Sequence, residues 1–154
     1  MAAANELSAA LWQERRVLNG LICALETTAS GSPCRTAPAA DDMVLTLRAA
    51  GLARDIAVID LAREWDVSDD ASLPELILGA PEDGPWPYIL SAHLESMREQ
   101  VRRIDDLGAT LPAPAGKSHG NARHRDCQAP AGADGNRRME TLSVIPRPLR
   151  RFLG

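Results

Sequence analysis

The chain has 154 residues, which is enough for one ordinary domain and too few for two sizeable ones. Apolar residues make up 45% and aromatic residues only 3%, so the composition favours helices over a β-sandwich or a β-barrel. Residues 1–112 carry nine Arg against eighteen acids, whereas residues 113–154 carry eight basic residues against three acids. The acidic character of residues 1–112 argues against nucleic-acid binding by that part of the chain.

No targeting or membrane-spanning segment is predicted. Two acids, Glu6 and Glu14, interrupt the first residues, and no run of about eighteen apolar residues occurs. The cysteines are three in number, and their irregular spacing argues against a disulfide framework. We therefore expect a cytoplasmic protein without membrane insertion.

The first predicted helix covers residues 5–29. Its leucines recur at helical spacing and form one row, which consists of Leu7, Leu11, Leu18, Leu21 and Leu25. Glu14 occupies the position between Leu11 and Leu18 in this row, so the row contains a polar gap.

A linker over residues 30–40 leads to a second helix, predicted from residue 41 to about Trp65. Its apolar residues follow the 4-3-4-3 spacing of a heptad seam, formed by Leu45, Ala49, Leu52, Ile56 and Ile59. We expect this seam to pack in a helical hairpin. The sequence leaves open whether residues 27–40 form a loop or a helix.

A short helix and a final long helix follow. Ser72 and Glu75 have the spacing of a capping box, which predicts that a helix begins there. The last long helix begins at Trp86, between two prolines, and runs to about Leu107. Gly108 is the expected residue just after its end.

The helical pattern disappears after Pro112. Residues 113–154 contain nine Gly or Pro and few large apolar residues, so we predict a low-complexity, mostly disordered basic tail. Pro146 and Pro148 are expected to end any helical turn that precedes them. Arg and apolar residues alternate over 147–154. Such a segment can bind an acidic groove or dock onto the chain's own acidic body, and an unstructured end is an equal alternative.

These elements together predict an all-α fold. Three long helices and one short helix would form an elongated antiparallel bundle over residues 1–112, with residues 113–154 as the tail. A bundle of this kind has a thin core and often leaves one apolar row partly covered. Such a row is a suitable surface for a partner helix.

No motif for catalysis or for a cofactor is recognised. A phosphate-binding loop, a nucleophile elbow and paired cysteines at metal-binding spacing do not occur in the sequence. His119, His124 and Cys127 form the nearest approach to a metal cluster, but their spacing fits zinc sites poorly. We interpret them as chance polar residues and expect a protein that is not an enzyme and needs no cofactor.

Two stretches of the chain resemble a known family. Residues 7–26 read LSAALWQERRVLNGLICALE, and residues 47–104 contain LRAAGLARDIAVIDLAREWDV followed by SLPELILGAPEDGPWPYIL. The order of these elements is similar to that in the FlgN family of flagellar type III export chaperones, in its actinobacterial form. An Arg-rich second helix is followed by a Ser-Leu-x-Glu-Leu short helix, an Ala-Pro pair and a last helix that begins with Trp. The resemblance covers about residues 5–110, whereas residues 27–40 and the sequence after Pro112 depart from the family pattern.

This resemblance implies a cytoplasmic chaperone that uses no cofactor and performs no chemistry. It would bind the disordered termini of hook-associated flagellar proteins, prevent their premature assembly and pass them to the export apparatus. We expect a monomer or a weak homodimer. The client-binding region of the family falls on the last helix, where the matching apolar row is Leu90, Leu94, Met97, Val101 and Ile104. The charge distribution leaves an alternative: a helical structural or regulatory protein whose basic tail binds an anionic partner.

Overall fold

The computed structural model describes residues 2–30, 40–110 and 145–154, and within these ranges it contains helices and no strand. The helices, in chain order, are α1 (Ala2–Ala29), α2 (Ala40–Trp65), α3 (Leu73–Gly79), α4 (Trp86–Thr110) and α5 (Arg147–Leu153). The predicted all-α fold is therefore confirmed. Helices α1 to α4 correspond to the four predicted helices, and α5 has no predicted counterpart.

Helix α1 is the central element of the fold. It packs against both α2 and α4, whereas α2 and α4 hardly contact each other. Helix α2 runs antiparallel to α1, since Gly20 lies against Met43 while Glu14, one and a half turns earlier on α1, pairs with Arg54 further along α2. The predicted helical hairpin is thus formed by α1 and α2.

Helix α4 lies on another side of α1 and runs parallel to it. Ser8 near the beginning of α1 meets His93 near the beginning of α4, and Glu26 near the end of α1 pairs with Arg103 near the end of α4. The three long helices therefore do not all alternate in direction with their neighbours, as an antiparallel bundle would require. A groove is left between α2 and α4, with α1 as its floor.

The predicted leucine row of α1 forms the centre of the core. All five leucines are buried, and so is Glu14 in the gap between them. An α-helix buries one face in this way when its apolar residues recur every three or four positions. The polar gap in the row is real, and it is matched by a polar residue on α2.

The face of α2 that packs on α1 is not the predicted seam. The buried positions have their own heptad spacing, formed by Met43, Leu47, Ala50, Arg54, Ala57 and Leu61, and Val58 and Ala62 are buried beside them. Leu45, Leu52 and Ile56 of the predicted seam are 62%, 64% and 57% exposed. The prediction was wrong because it ranked the faces by apolar content, whereas the buried Glu14 requires the face that carries Arg54.

Two capping motifs, one at the end of α2 and one at the start of α3, shape the connection between these helices. Helix α2 ends in a left-handed residue, Asp66 (φ 56°), and the amide of Val67 donates to the carbonyl of Ala62 at 2.9 Å, which is a Schellman closure. The predicted capping box is confirmed, since the amide of Ser72 donates to the carboxylate of Glu75 at 2.7 Å.

One predicted helix end needs correction, and two prolines have a role that the sequence did not predict. Helix α4 continues through Gly108 to Thr110, so Gly108 does not end it. Pro146 is the N-cap of α5 and Pro148 lies in its first turn, so both prolines stand at the start of a helix. The turn that they were predicted to end lies before residue 145, outside the described ranges. A first-turn proline loses no hydrogen bond, since the amides of that turn have no partner within the helix.

The prediction of a disordered tail was wrong for residues 145–154. Four apolar residues of this segment are buried, namely Ile145, Leu149, Phe152 and Leu153. The prediction averaged composition over the whole tail, whereas these residues concentrate most of its apolar surface in ten positions. Residues 111–144 lie outside the described ranges, so the predicted boundary at residue 112 stays a prediction.

Candidate functional site

The predicted client-binding row of α4 lies inside the protein. Leu90, Met97 and Ile104 are at most 1% exposed, and the other two members, Leu94 and Val101, are 8% exposed. The row packs against α1 and α3 as part of the hydrophobic core. It offers no free surface in this conformation, so client binding by these residues stays a prediction that requires the helices to separate.

An exposed apolar row occurs on α2 instead. Leu45, Ala49, Leu52 and Ile56 stand at heptad spacing on the solvent side of the helix, and we call them the α2 row. With a rise of about 1.5 Å per residue, the row is roughly 16 Å long. Single exposed leucines are common on protein surfaces, but consecutive heptad positions form a seam that fits a second helix.

A hollow adjoins the α2 row on the side that faces α5. It has a volume of about 180 Å³, and Leu52, Leu149 and Pro148 contribute to its lining. Arg48 and Asp55, which flank the row, lie on its border. The α2 row therefore combines an apolar ridge, an apolar recess and charges of both signs at its edges, which are the elements of a helix-in-groove contact.

Helix α5 occupies the groove between α2 and α4. We call this surface the α5 groove and define it by Glu14 on α1, Arg54 on α2, and Arg98 and Asp105 on α4. The ring of Phe152 lies over the guanidinium of Arg54, with 4.7 Å between the guanidinium carbon and the ring centroid. An arginine stacked on an aromatic ring gains from the negative potential of the ring face.

The floor of the α5 groove holds a buried ion pair. Nη1 of Arg54 donates to both carboxylate oxygens of Glu14, at 2.8 and 2.9 Å, and both side chains are at most 2% exposed. Burial raises the pKa of Glu14 from 4.5 to about 6, although the Arg54 charge and hydrogen bond act in the opposite direction. Asp55 accepts from the remaining side of the guanidinium, at 2.8 and 3.1 Å.

The rim of the α5 groove is bound to α5 by charged groups. Arg98 donates through Nε to the carbonyl of Leu153 at 3.0 Å, and through Nη2 to the carbonyl of Gly154 at 3.0 Å. Arg150 pairs with Asp105. Arg151 lies 3.3 Å from Asp70, in the α2–α3 connection.

The basic end of the predicted tail is thus seated on the acidic body. Of the interpretations left open for residues 147–154, docking onto the chain's own acidic body is the one realised. Arg150 and Arg151 each pair with an acid of the body. The alternative function, an anionic partner for the basic tail, stays a prediction, because the basic residues between 113 and 144 lie outside the described ranges.

A polar cluster between α1 and α4 is the nearest arrangement to a catalytic dyad. Ser8 Oγ lies 3.1 Å from His93 Nε2, but Arg15 Nη1 occupies the other ring nitrogen at 3.4 Å. Burial, together with the Arg15 charge, lowers the pKa of His93. In a catalytic triad, the histidine takes a proton from the nucleophile, and a carboxylate at its other ring nitrogen stabilises the imidazolium that forms. Here a cation occupies that position and disfavours the imidazolium.

The described residues contain no group of three His, Cys, Asp or Glu side chains suited to a metal ion. His119, His124 and Cys127 lie outside the described ranges. None of the described helices combines the length and the apolar character needed to cross a bilayer. No protein-family model, curated protein or solved structure matches this chain.

Sequence reasoning missed Arg54 and Phe152, the two residues that join α1, α2 and α5. A signal for Arg54 was present, since the gap at Glu14 in a leucine row calls for a buried cation on the facing helix. Phe152 had a weaker signal: it is the one Phe of the chain, and it stands three residues after Leu149 at helical spacing.

Proposed function

We propose that this protein is a cytoplasmic chaperone of flagellar type III export that binds an amphipathic terminal segment of a hook-associated protein on its α2 row. The client segment would form a helix on contact and be kept from premature assembly until it reaches the export apparatus. The resemblance in the order of elements supports the choice of client. The exposed α2 row is the single observation that carries the choice of surface.

The α2 row supports this proposal because it is apolar, continuous and solvent-facing. Leu45, Leu52 and Ile56 each expose more than half of their surface, on a helix whose opposite face is fully packed. Covering three such side chains is worth several kcal/mol, at about 1.5–3 kcal/mol for each large aliphatic side chain. This gain offsets part of the entropy that a disordered client loses when it becomes helical.

The proposal transfers the client contact from α4 to α2. The α4 row binds α1 and α3 in the core, so using it for a client would cost the protein its own packing. The α2 row has the same heptad spacing, and a client that covers it breaks no packing within the protein. An apolar ridge beside a recess accepts clients of varied sequence, since helix-in-groove recognition depends on side chains three and four positions apart.

A binding experiment on two matched surface variants tests the proposal. Synthetic peptides that cover the terminal segments of hook-associated proteins are titrated into the full chain, and fluorescence anisotropy and circular dichroism are recorded. We expect binding with a gain in helix content. The double variant Leu52→Asp/Ile56→Asp should weaken binding at least about tenfold, which corresponds to about 1.4 kcal/mol.

Leu78→Asp is the matched control, since Leu78 is 86% exposed on α3, away from the α2 row. It should bind the peptides as the wild type does. If no terminal segment binds, or if the α2 double variant binds as well as Leu78→Asp, the proposal is wrong. Binding that disappears as salt is raised would favour the alternative of an anionic partner.

A further inference from the structure

We infer that the α5 groove is an exchangeable peptide site, in which α5 is the resident occupant and a partner segment of the same chemistry takes its place. The matching segment carries an aliphatic residue, then one or two basic residues, then an aromatic and an aliphatic residue. This inference goes beyond the proposed function and does not rest on it, because it concerns the seat of α5 and not the exposed α2 row, and it is tested with the chain's own sequence. The two surfaces adjoin, since Glu14, Arg54 and Leu149 also line the recess beside the α2 row.

Helix α5 depends on the groove for its structure. It has seven residues, and a helix of that length is not stable in water without tertiary contacts. Pro146 and Pro148 fix their own backbone φ angles and so reduce the entropy lost when the segment becomes ordered. The segment therefore folds and docks in one event and leaves in one event.

The ion pair on the floor of the groove does not depend on α5. Glu14 and Arg54 bond to each other, and neither bond involves an atom of α5. If α5 leaves, water reaches an ion pair whose partners remain in place. The apolar side chains of α5 belong to the hydrophobic core, so its departure also uncovers apolar surface, which a partner segment of the same chemistry covers again.

Recognition of the occupant has a selective part and a general part. The selective part is the ring of Phe152 over Arg54 together with the pairing of Arg150 with Asp105. The general part is Arg98, which binds the last backbone carbonyls of α5 and would bind those of any helix end. A partner segment therefore needs the aromatic and basic side chains, and it needs no particular residue beneath Arg98.

Exchange is measured with a fluorescent peptide of sequence IPRPLRRFLG, which reproduces residues 145–154. In the wild-type full chain, the resident segment is covalently attached and competes at high effective concentration. Phe152→Ala in the full chain weakens the resident segment and leaves the groove itself unchanged. We expect the peptide to bind Phe152→Ala at least about tenfold more tightly than the wild type, because a larger fraction of grooves is open.

A charge reversal provides a second measurement that leaves the core intact. Arg150→Glu should also open the groove to the peptide, because it removes the pair that the resident segment makes with Asp105 and leaves Asp105 available to the peptide. The exposed aromatic Tyr88, 81% accessible on α4, provides a control, and Tyr88→Ala should behave as the wild type. A peptide in which the Phe is replaced by Ala should bind none of these proteins.

Three results would overturn the inference. The first is equal peptide affinity for the wild type and Phe152→Ala. The second is no binding of the peptide to either opened variant. The third is a wild-type dimer, seen by sedimentation, that dissociates in Phe152→Ala, since a second copy would then supply the helix in the groove.

Discussion

One nitrogen of Arg54, on α2, donates to both carboxylate oxygens of Glu14, on α1, and this contact decides which face of α2 is buried. A buried carboxylate in a leucine row must be paired or neutralised. The pairing turns three large aliphatic side chains of α2 toward solvent. The exposed α2 row is thus a consequence of the buried ion pair.

Removing one partner of this pair should be costly. Glu14→Ala leaves Arg54 buried without its main counter-charge, and we expect it to lower the free energy of unfolding by about 3–5 kcal/mol. Asp55→Ala removes the other acid bonded to the same guanidinium, but Asp55 is 52% exposed, so a loss below about 1 kcal/mol is expected. Urea unfolding of the two variants measures the difference, and equal losses would contradict this account.

Glu14 should make the protein more stable as the pH falls. Its pKa is about 6 in the folded state against 4.5 in the unfolded state, so the folded protein takes up a proton first between these values. His93→Gln isolates this effect, and its free energy of unfolding should be higher at pH 5 than at pH 7.

His93 should act in the opposite direction. Burial, and then the charge of Arg15, lowers its pKa below the usual 6.5, so the unfolded chain takes up the proton first as the pH falls. The stability that neutral His93 provides is present above pH 6.5 and is lost below it. Glu14→Gln isolates this effect and should be less stable at pH 5 than at pH 7. Parallel pH profiles for Glu14→Gln and His93→Gln would contradict both assignments.

Asp66 occupies a backbone conformation that glycine adopts more easily. Its φ of 56° at the end of α2 is unfavourable for a residue with a Cβ atom. Asp66→Gly should raise the free energy of unfolding by about 0.5–1 kcal/mol, since the relief of strain exceeds the entropy gained by the unfolded chain. Asp69→Gly in the same connection is the control. Asp69 has no positive φ, and its substitution should bring no gain.

The two apolar rows should respond differently to truncation. Met97 is fully buried, so Met97→Ala should cost about 2–5 kcal/mol through lost contacts and a cavity. Leu52 is 64% exposed, so Leu52→Ala should change stability by less than about 0.5 kcal/mol. Thermal and urea unfolding measure both variants. A large loss in Leu52→Ala would mean that the α2 row is covered in solution.

The sequence was sufficient to locate four of the helices, but it was not sufficient to decide which face of a helix is buried and which is free for a partner. Periodicity located α1, α2 and α4, and the spacing of Ser72 and Glu75 located the beginning of α3. The choice between two heptad faces of α2 was decided by a residue on another helix, Glu14, which no pattern within α2 contains. The α4 row was correctly recognised as one apolar face, but periodicity does not distinguish a face that binds a client from a face that fills the core.

Helix α5 shows a different limit of sequence reasoning. Its seven residues are too few for a periodic signal, and its prolines are typical of both a helix start and a helix end. What stabilises it lies on other elements, at Arg54, Arg98 and Asp105. A short segment that takes its structure from a groove cannot be located before the groove is known.

The contact between Phe152 and Arg54 joins residues that are far apart in the sequence, and this has a kinetic consequence. Local pairing of α1 with α2 closes a much shorter loop, so the ring is expected to reach its place after the rate-limiting step of folding. Substitutions that tighten this contact should then slow unfolding and leave the folding rate unchanged. The last helix would determine how long the native state lasts rather than how fast it is reached.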